Sequence, residues 1–158
     1  MDTVQNRRWG PALWRLLHSS AERIGTKILH RLPHEESRLW SQFLQSLRFS
    51  LPCPHCRGHY QAFLEANPLP LASFRREDMR VWLYRLHIAV QERLGMAEGR
   101  LSLSEVEEQF SAPFCFSEAL RIFAQDLQLA VQRGICRRED RVTTLRHAEE
   151  LRRFYDFF

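Results

Sequence analysis

Residues 81–95, with the sequence VWLYRLHIAVQERLG, carry the clearest helical pattern in the chain. Apolar side chains recur every three or four residues along this segment, which is the spacing of one face of an α-helix. Gly95 follows the last apolar residue, and glycine commonly ends helices because it adopts the left-handed backbone conformation without strain. The segment therefore predicts an amphipathic helix that buries one face and stops at Gly95.

Six further segments have helical spacing, and most prolines and glycines fall between them. They are Gly10–Leu29, a run through Leu39 and Leu47, Cys53–Asn67, Ser102–Phe110, Ser117–Gln132 and Arg138–Tyr155. Pro11 is predicted to lie in a first helical turn, and Ser104 is predicted to cap the short fifth helix with Glu107 three residues on. No segment alternates polar and apolar residues with period two, so the predicted fold is all-α.

The composition excludes several broad classes of protein. With 158 residues and 44% hydrophobic content, the chain is predicted to form a globular domain rather than a disordered region. The net charge is +4, but basic and acidic residues are interspersed, so no nucleic-acid partner is expected. No uncharged stretch is longer than Ala66–Phe74, which is far shorter than the roughly 20 residues of a membrane-spanning helix, and Met1–Trp9 contains no readable secretory signal.

Cys53-Pro54-His55-Cys56 is a C-x-x-C motif at the predicted start of a helix. A helix N-terminus carries a partial positive charge, which lowers thiol pKa values and favours the thiolate of redox chemistry. Two other interpretations are open: half of a zinc site with His59 as a third ligand, or a pair of ordinary thiols. The thioredoxin fold, which usually carries this motif, needs strands that the sequence does not predict.

Two pairs of aromatic and imidazole side chains lie on separate predicted helices. Trp14 and His18 are four residues apart on the first helix, and Trp82 and His87 lie on the helix that ends at Gly95. Their convergence would form the wall of a site for a flat cofactor, although tryptophans on apolar faces are more often core residues. No G-x-G-x-x-G follows a strand, which excludes the Rossmann mode of dinucleotide binding.

Taken in order, these residues resemble the Erv/ALR family of FAD-linked sulfhydryl oxidases, from about Trp9 to Phe110. Several motifs in one order are far more specific than any single motif. The matching residues are Gly10, Trp14 and His18 for G-x-x-x-W-x-x-x-H, Pro52, Cys53 and Cys56 for a proline-preceded C-x-x-C, and Trp82, His87, Val90, Leu94 and Gly95 for a tryptophan, H-N-x-V-N and L-G.

The resemblance implies a four-helix bundle with a short fifth helix and FAD among the helices, formed by residues 1–112. Residues 113–158 are expected to add C-terminal helices, packed on this core or at an oligomer interface. The implied enzyme makes disulfide bonds in thiol-containing proteins, passing electrons through the Cys53–Cys56 disulfide to FAD and then to O2, giving H2O2. Substrate is expected to attack Cys53, and Cys56 to lie near the flavin. The residues implied in FAD binding are Gly10, Trp14, His18, Trp82, His87, Val90, Gln91 and Phe110.

The chain departs from the family pattern at several positions. Ile88 and Gln91 stand where the family has asparagines, and Phe110 stands where it has a tryptophan, which removes an N–H donor. Glu65 and Leu103 occupy the positions of a structural disulfide found in cellular members. We expect some flavin contacts to be remade and the disulfide to have been lost as a unit.

Cys115 and Cys136 lie beyond the resembling region, and three interpretations are open. They form a disulfide closing a loop of about 20 residues, worth roughly 3 kcal/mol, they are unpaired thiols, or one is a shuttle thiol. The apolar residues 154–158 are predicted to dock on this chain or on a partner. The resemblance further implies a homodimer and a compact viral member in the host cytoplasm or virion, with the mitochondrial intermembrane space as the alternative.

Two other classes of function compete with the oxidase. A zinc-binding helical interaction module would use Cys53, Cys56 and His59, and it would be colourless and lose structure with a chelator. A helical scaffold with incidental cysteines would be colourless and indifferent to chelation.

Overall fold

The computed structural model describes residues 4–27, 34–96 and 100–158. These residues form seven α-helices without any strand, which confirms the predicted all-α fold. The helices are α1 (Asn6–Ala21), α2 (Glu35–Ser50), α3 (Pro54–Ala66), α4 (Arg76–Arg93), α5 (Leu103–Phe110), α6 (Phe116–Gln132) and α7 (Arg138–Phe154). The first helix ends at Ala21 and not at the predicted Leu29, which itself lies outside the described residues.

The start of α1 differs from the prediction. The helix begins four residues before Gly10, and Pro11 lies inside it rather than in its first turn. Two hydrogen bonds hold the segment that leads into the helix: Val4 N donates to Pro52 O at 3.0 Å, and Trp9 Nε1 donates to Val4 O at 3.1 Å. Because the first of these joins segments distant in sequence, local spacing did not indicate where the helix begins.

The helix caps were predicted correctly at one place and wrongly at another. Gly95 follows α4 with a φ of 71°, which is the left-handed conformation expected of a terminating glycine. The cap of α5 is Ser102 and not Ser104: Ser102 Oγ accepts from Glu105 N, and Glu105 Oε1 accepts from Ser102 N, both at 3.2 Å. The capping box therefore exists two residues earlier than predicted.

The first four helices pack together, with α1 against α4 and α2 against α3. A buried ion pair reinforces the contact between α1 and α4. Arg80 donates through Nε and Nη2 to the two carboxylate oxygens of Glu22, each at 2.7 Å. Bidentate pairs of this kind have a fixed geometry, so the pair holds α4 in register against the end of α1.

The C-terminal helices cover the other sides of the first two helices, with α6 on α1 and α7 on α2. Trp40 Nε1 donates to the Tyr155 hydroxyl at 2.8 Å, and that hydroxyl donates to Glu36 Oε1 at 2.6 Å. Thr144 Oγ1 donates to Ser50 Oγ at 2.6 Å in a second buried contact between α2 and α7. Buried polar groups with partners on both helices specify how α7 docks.

The C-terminal tail docks on its own chain, which was one of the two predicted possibilities. The Phe157 ring stacks on Phe116 with centroids 5.2 Å apart, and its edge meets Phe114 at 5.0 Å. Ser117 N donates to Phe158 O at 2.6 Å. One hydrophobic core joins residues before and after position 112, and the predicted domain division at that position stays a prediction.

Because α6 shares this core, we expect that shortening a buried side chain of α6 destabilises the whole chain. Phe123 is fully buried, and its ring contacts Trp9 of α1 at a centroid distance of 6.5 Å. Phe123→Ala should lower the free energy of unfolding by about 3–5 kcal/mol, measured by urea denaturation. The matched variant Phe158→Ala removes a ring that is 86% exposed and should cost under about 0.5 kcal/mol. Equal effects of the two substitutions would contradict the packing of α6 described above.

Candidate active site

A cavity of about 440 Å³ lies among α1, α2, α3 and α4. Its volume is within the range of small-molecule and cofactor sites, which are concave and mostly apolar. Most of its walls are aliphatic or aromatic. The residues that line the cavity include Gly10, Trp14, Cys56, Phe63, Asn67, Val90 and Arg93.

The C-x-x-C motif opens α3 next to this cavity. Cys53 is the N-cap residue, and its Sγ accepts a hydrogen bond from Cys56 N at 3.2 Å. Pro54 occupies the first helical position, where the missing N–H of proline costs nothing. Both cysteines are half-buried, but Cys56 lines the cavity and Cys53 does not. The motif therefore presents two different sulfurs, with only the second on the cavity wall.

The pKa of Cys56 shifts in the opposite direction to the one predicted from the helix N-terminus. Burial, as the larger cause, and the adjacent Cys53 side chain together raise the pKa of the Cys56 thiol to about 11. The Arg93 guanidinium, with Nη2 3.9 Å from Cys56 Sγ, acts against both effects. The prediction was wrong for this thiol because its desolvation at the cavity wall outweighs the favourable end of the helix.

Four of the predicted cofactor-binding side chains form one aromatic stack. The Trp14 and His87 rings lie 3.9 Å apart at an angle of 6°, and His18 stacks on Phe110 at 4.7 Å. His18 Nε2 and His87 Nδ1 are 3.0 Å apart and share a hydrogen bond. The stack joins α1, α4 and α5, and Trp14 connects it to the cavity.

Both histidines of the stack are neutral in the folded protein. Burial, together with the nearby His87, lowers the pKa of His18 from 6.5 to about 3. Burial also lowers the pKa of His87 to about 4. Since neither ring carries a charge near neutral pH, one ring nitrogen donates and the other accepts in the bond between them.

The other predicted site residues occupy different positions. Gly10 and Val90 line the cavity, as predicted for residues near a ligand. Trp82 does not line it; its Nε1 donates to Asn67 O at 2.9 Å, and its ring meets the edge of Phe63 at 5.4 Å. Trp82 therefore supports two lining residues from behind.

Gln91 is half-buried and does not line the cavity, whereas Arg93, which the sequence analysis did not single out, does. The signal that could have found Arg93 is its spacing. It follows Val90 by three residues on the same helix, and residues three apart share a face. A search for charged residues on the face of α4 that carries Val90 would have identified it.

The zinc interpretation and the Cys115–Cys136 disulfide find no support in the geometry. Among residues 4–27, 34–96 and 100–158, no three His, Cys, Asp or Glu side chains are grouped to hold a metal ion. Cys115 is an exposed free thiol at the start of α6. Cys136 is buried and its Sγ donates to Arg137 O at 3.4 Å. Both thiols are unpaired in the structure, which does not match the disulfide interpretation, and the shuttle thiol stays a prediction.

Comparison with known proteins identifies relatives of the chain. A sequence model described as Erv1 / Alr family matches residues 11–111. Proteins named FAD-linked sulfhydryl oxidase from a Kenyan pig isolate and a Namibian warthog isolate of African swine fever virus are each 30% identical over 92 residues, covering 54% of this chain and 67% of each relative. No solved structure matches the chain.

The neutral histidines make stability depend on pH. Because the folded-state pKa of His18 lies below 6.5, the unfolded chain binds more protons than the folded one between about pH 6.5 and pH 3. The contribution of His18 is therefore complete above pH 6.5 and is lost as the pH falls toward 3. His18→Phe should reduce the slope of unfolding free energy against pH between 6 and 4 by up to about 1.4 kcal/mol per pH unit, measured by urea denaturation. Equal slopes in the two proteins would show that His18 titrates normally when folded.

Proposed function

This chain belongs to the Erv1/Alr family, and from that membership we propose that it oxidises pairs of protein thiols to disulfides as an FAD-linked sulfhydryl oxidase. The family resemblance inferred from the motifs is thereby confirmed. The observation that carries the proposal is the position of Cys56: the second sulfur of a C-x-x-C lies on the wall of an apolar cavity that also contains Trp14. A redox dithiol needs an electron acceptor beside it, and the cavity is the place for one.

The residues around the cavity fit FAD. A largely apolar space of about 440 Å³ with an aromatic side chain in its wall suits the flat ring system of a flavin. Gly10, Trp14 and Val90 would contact the group directly. When bound, FAD would take an electron pair from the dithiol and deliver it, together with two protons, to O2 as H2O2.

The predicted binding residues that do not line the cavity have two different roles in this proposal. His18, His87 and Phe110 extend the wall beyond Trp14 as a neutral aromatic surface. Trp82 contacts Phe63 and Asn67 from outside the cavity and holds these two lining residues in place. Gln91 remains a proposed contact at the edge of the site. Neutral histidines keep the wall apolar, which favours a flat aromatic group over water.

The thiol chemistry divides between the two cysteines. A substrate thiolate attacks Cys53 Sγ of the Cys53–Cys56 disulfide; a sulfur–sulfur bond forms to the substrate, and the Cys53–Cys56 bond breaks. The electron pair of the broken bond goes to Cys56 Sγ, which leaves as a thiolate. A second substrate thiolate then attacks the substrate sulfur and releases Cys53, so the substrate leaves as a disulfide. Cys56, on the cavity wall, holds the electron pair next to the acceptor site.

Three properties of the proposed oxidase stay predictions. They are that it forms a homodimer, that it comes from a virus, and that it is located in the host cytoplasm or virion rather than in the mitochondrial intermembrane space. Within the described ranges no helix is long and apolar enough to cross a membrane. The proposed partners are thiol-containing proteins, with O2 as the electron acceptor.

Replacing either cysteine of the motif should abolish thiol oxidation. Cys56→Ala and Cys53→Ala each remove one half of the disulfide, so we expect loss of oxygen uptake with dithiothreitol while the visible flavin absorbance of the purified protein is retained. Cys115→Ala is the matched control, because this exposed thiol lies at the start of α6, and it should keep full activity. A colourless wild-type protein that neither binds added FAD nor consumes oxygen would refute the proposal.

Filling the cavity should expel the cofactor. Val90→Trp places a bulky side chain into the lining, and we expect at least a tenfold weaker affinity for FAD, because each lost 1.4 kcal/mol of binding is about a factor of ten. Val142→Trp is the control, since Val142 is 52% exposed on α7. Affinity is measured by titrating FAD and following the quenching of its fluorescence. Unchanged binding in Val90→Trp would place the flavin elsewhere.

A further inference from the structure

Arg93 is the only residue with a permanent charge among the described residues that line the cavity. It lies in the last turn of α4 and is half-buried. No Asp or Glu is found among those lining residues, so the cavity itself offers its guanidinium no carboxylate. A desolvated cation in an apolar wall is costly unless something negative approaches it. The position of Arg93 therefore calls for an anionic partner within the site.

The guanidinium of Arg93 lies beside one of the reacting atoms, the sulfur of Cys56. Arg93 Nη2 is 3.9 Å from Cys56 Sγ, within the distance at which opposite charges shift a pKa. Burial and the neighbouring Cys53 side chain both raise the pKa of Cys56, and among the described groups that act on this thiol only Arg93 lowers it. Without the guanidinium, the half-buried sulfur would be still harder to ionise.

The proposed reaction places a negative charge on this sulfur. When a substrate thiolate attacks Cys53, the bond to Cys56 breaks and its electron pair leaves on Cys56 Sγ. In thiol–disulfide exchange, the sulfur with the lower thiol pKa is the better leaving group. A cation beside Cys56 therefore makes this sulfur a better leaving group.

We propose that Arg93 is a catalytic residue that stabilises the departing Cys56 thiolate. This inference rests on the proposed oxidase function and adds a residue to it. The guanidinium suits the task because it stays charged when partly desolvated, whereas an ammonium group loses its proton more readily on burial.

The test measures the ionisation of Cys56 separately from enzymatic activity. In a Cys53→Ser background, the full-length purified protein keeps Cys56 as a thiol without added reductant. The rate at which iodoacetamide alkylates Cys56 is followed against pH, and mass spectrometry of the Cys56 peptide separates it from Cys115 and Cys136. Thiolate alone reacts, so the midpoint of the profile reports the pKa.

Arg93→Met should move this midpoint up by about one pH unit, which corresponds to roughly tenfold slower alkylation at pH 8. Arg93→Lys, which keeps a positive charge, should restore most of the rate. Arg85→Met is the matched control: it removes an exposed arginine of the same helix and should leave the profile unchanged. Circular dichroism and cooperative unfolding confirm that each variant is folded; if Arg93→Met does not fold, Arg93→Gln replaces it.

An unchanged Cys56 midpoint in folded Arg93→Met would overturn the inference. If the same variant also lost FAD affinity, Arg93 would instead be a cofactor-binding residue with no role at the thiol. Failure of the proposed function looks different, because a colourless, inactive wild-type protein would still give an alkylation profile. A shift with Arg93→Met in such a protein would support the contact and refute only the oxidase.

Discussion

In the proposed reaction, a buried sulfur atom has to carry charge. Cys56 lies on an apolar wall, and this burial raises its pKa to about 11. The same wall is what makes the cavity suitable for a flat aromatic group, so the desolvation cannot be relieved by opening the site to water. The Arg93 guanidinium, with Nη2 3.9 Å from Cys56 Sγ, acts against this rise in pKa. The chemistry of the dithiol follows from the balance between these two effects.

The aromatic stack also keeps buried polar residues compatible with an apolar wall, but its histidines do so by being uncharged. His18 and His87 are held so far from water that they lose their charge, and their polar nitrogens satisfy each other across 3.0 Å. Stacking on Trp14 and Phe110 then makes the imidazoles part of an apolar surface. Polar residues at this place do not weaken the wall, because one nitrogen of each imidazole is paired with the other ring.

The C-terminal helices contribute to the site although they do not line the cavity. The family match ends at residue 111, and α6 begins a few residues later and packs on α1. Trp9 of α1 lines the cavity and also contacts Phe123 of α6. Because α1 also carries Trp14 and His18, fixing this helix between α4 and α6 positions three of the predicted site residues at once.

The sequence by itself determined the helical class, the approximate extent of most helices, the dithiol at the start of α3 and the order of motifs that identifies the family. These features are local, because a helix face and a C-x-x-C motif are both defined by the spacing of residues that are close together in sequence. Only the tertiary structure decided that α1 begins at Asn6, that Arg93 lines the cavity while Trp82 and Gln91 do not, and that the pKa of Cys56 rises. Each of these depends on burial and on charges brought close from other helices, and spacing along one helix does not record what lies opposite it.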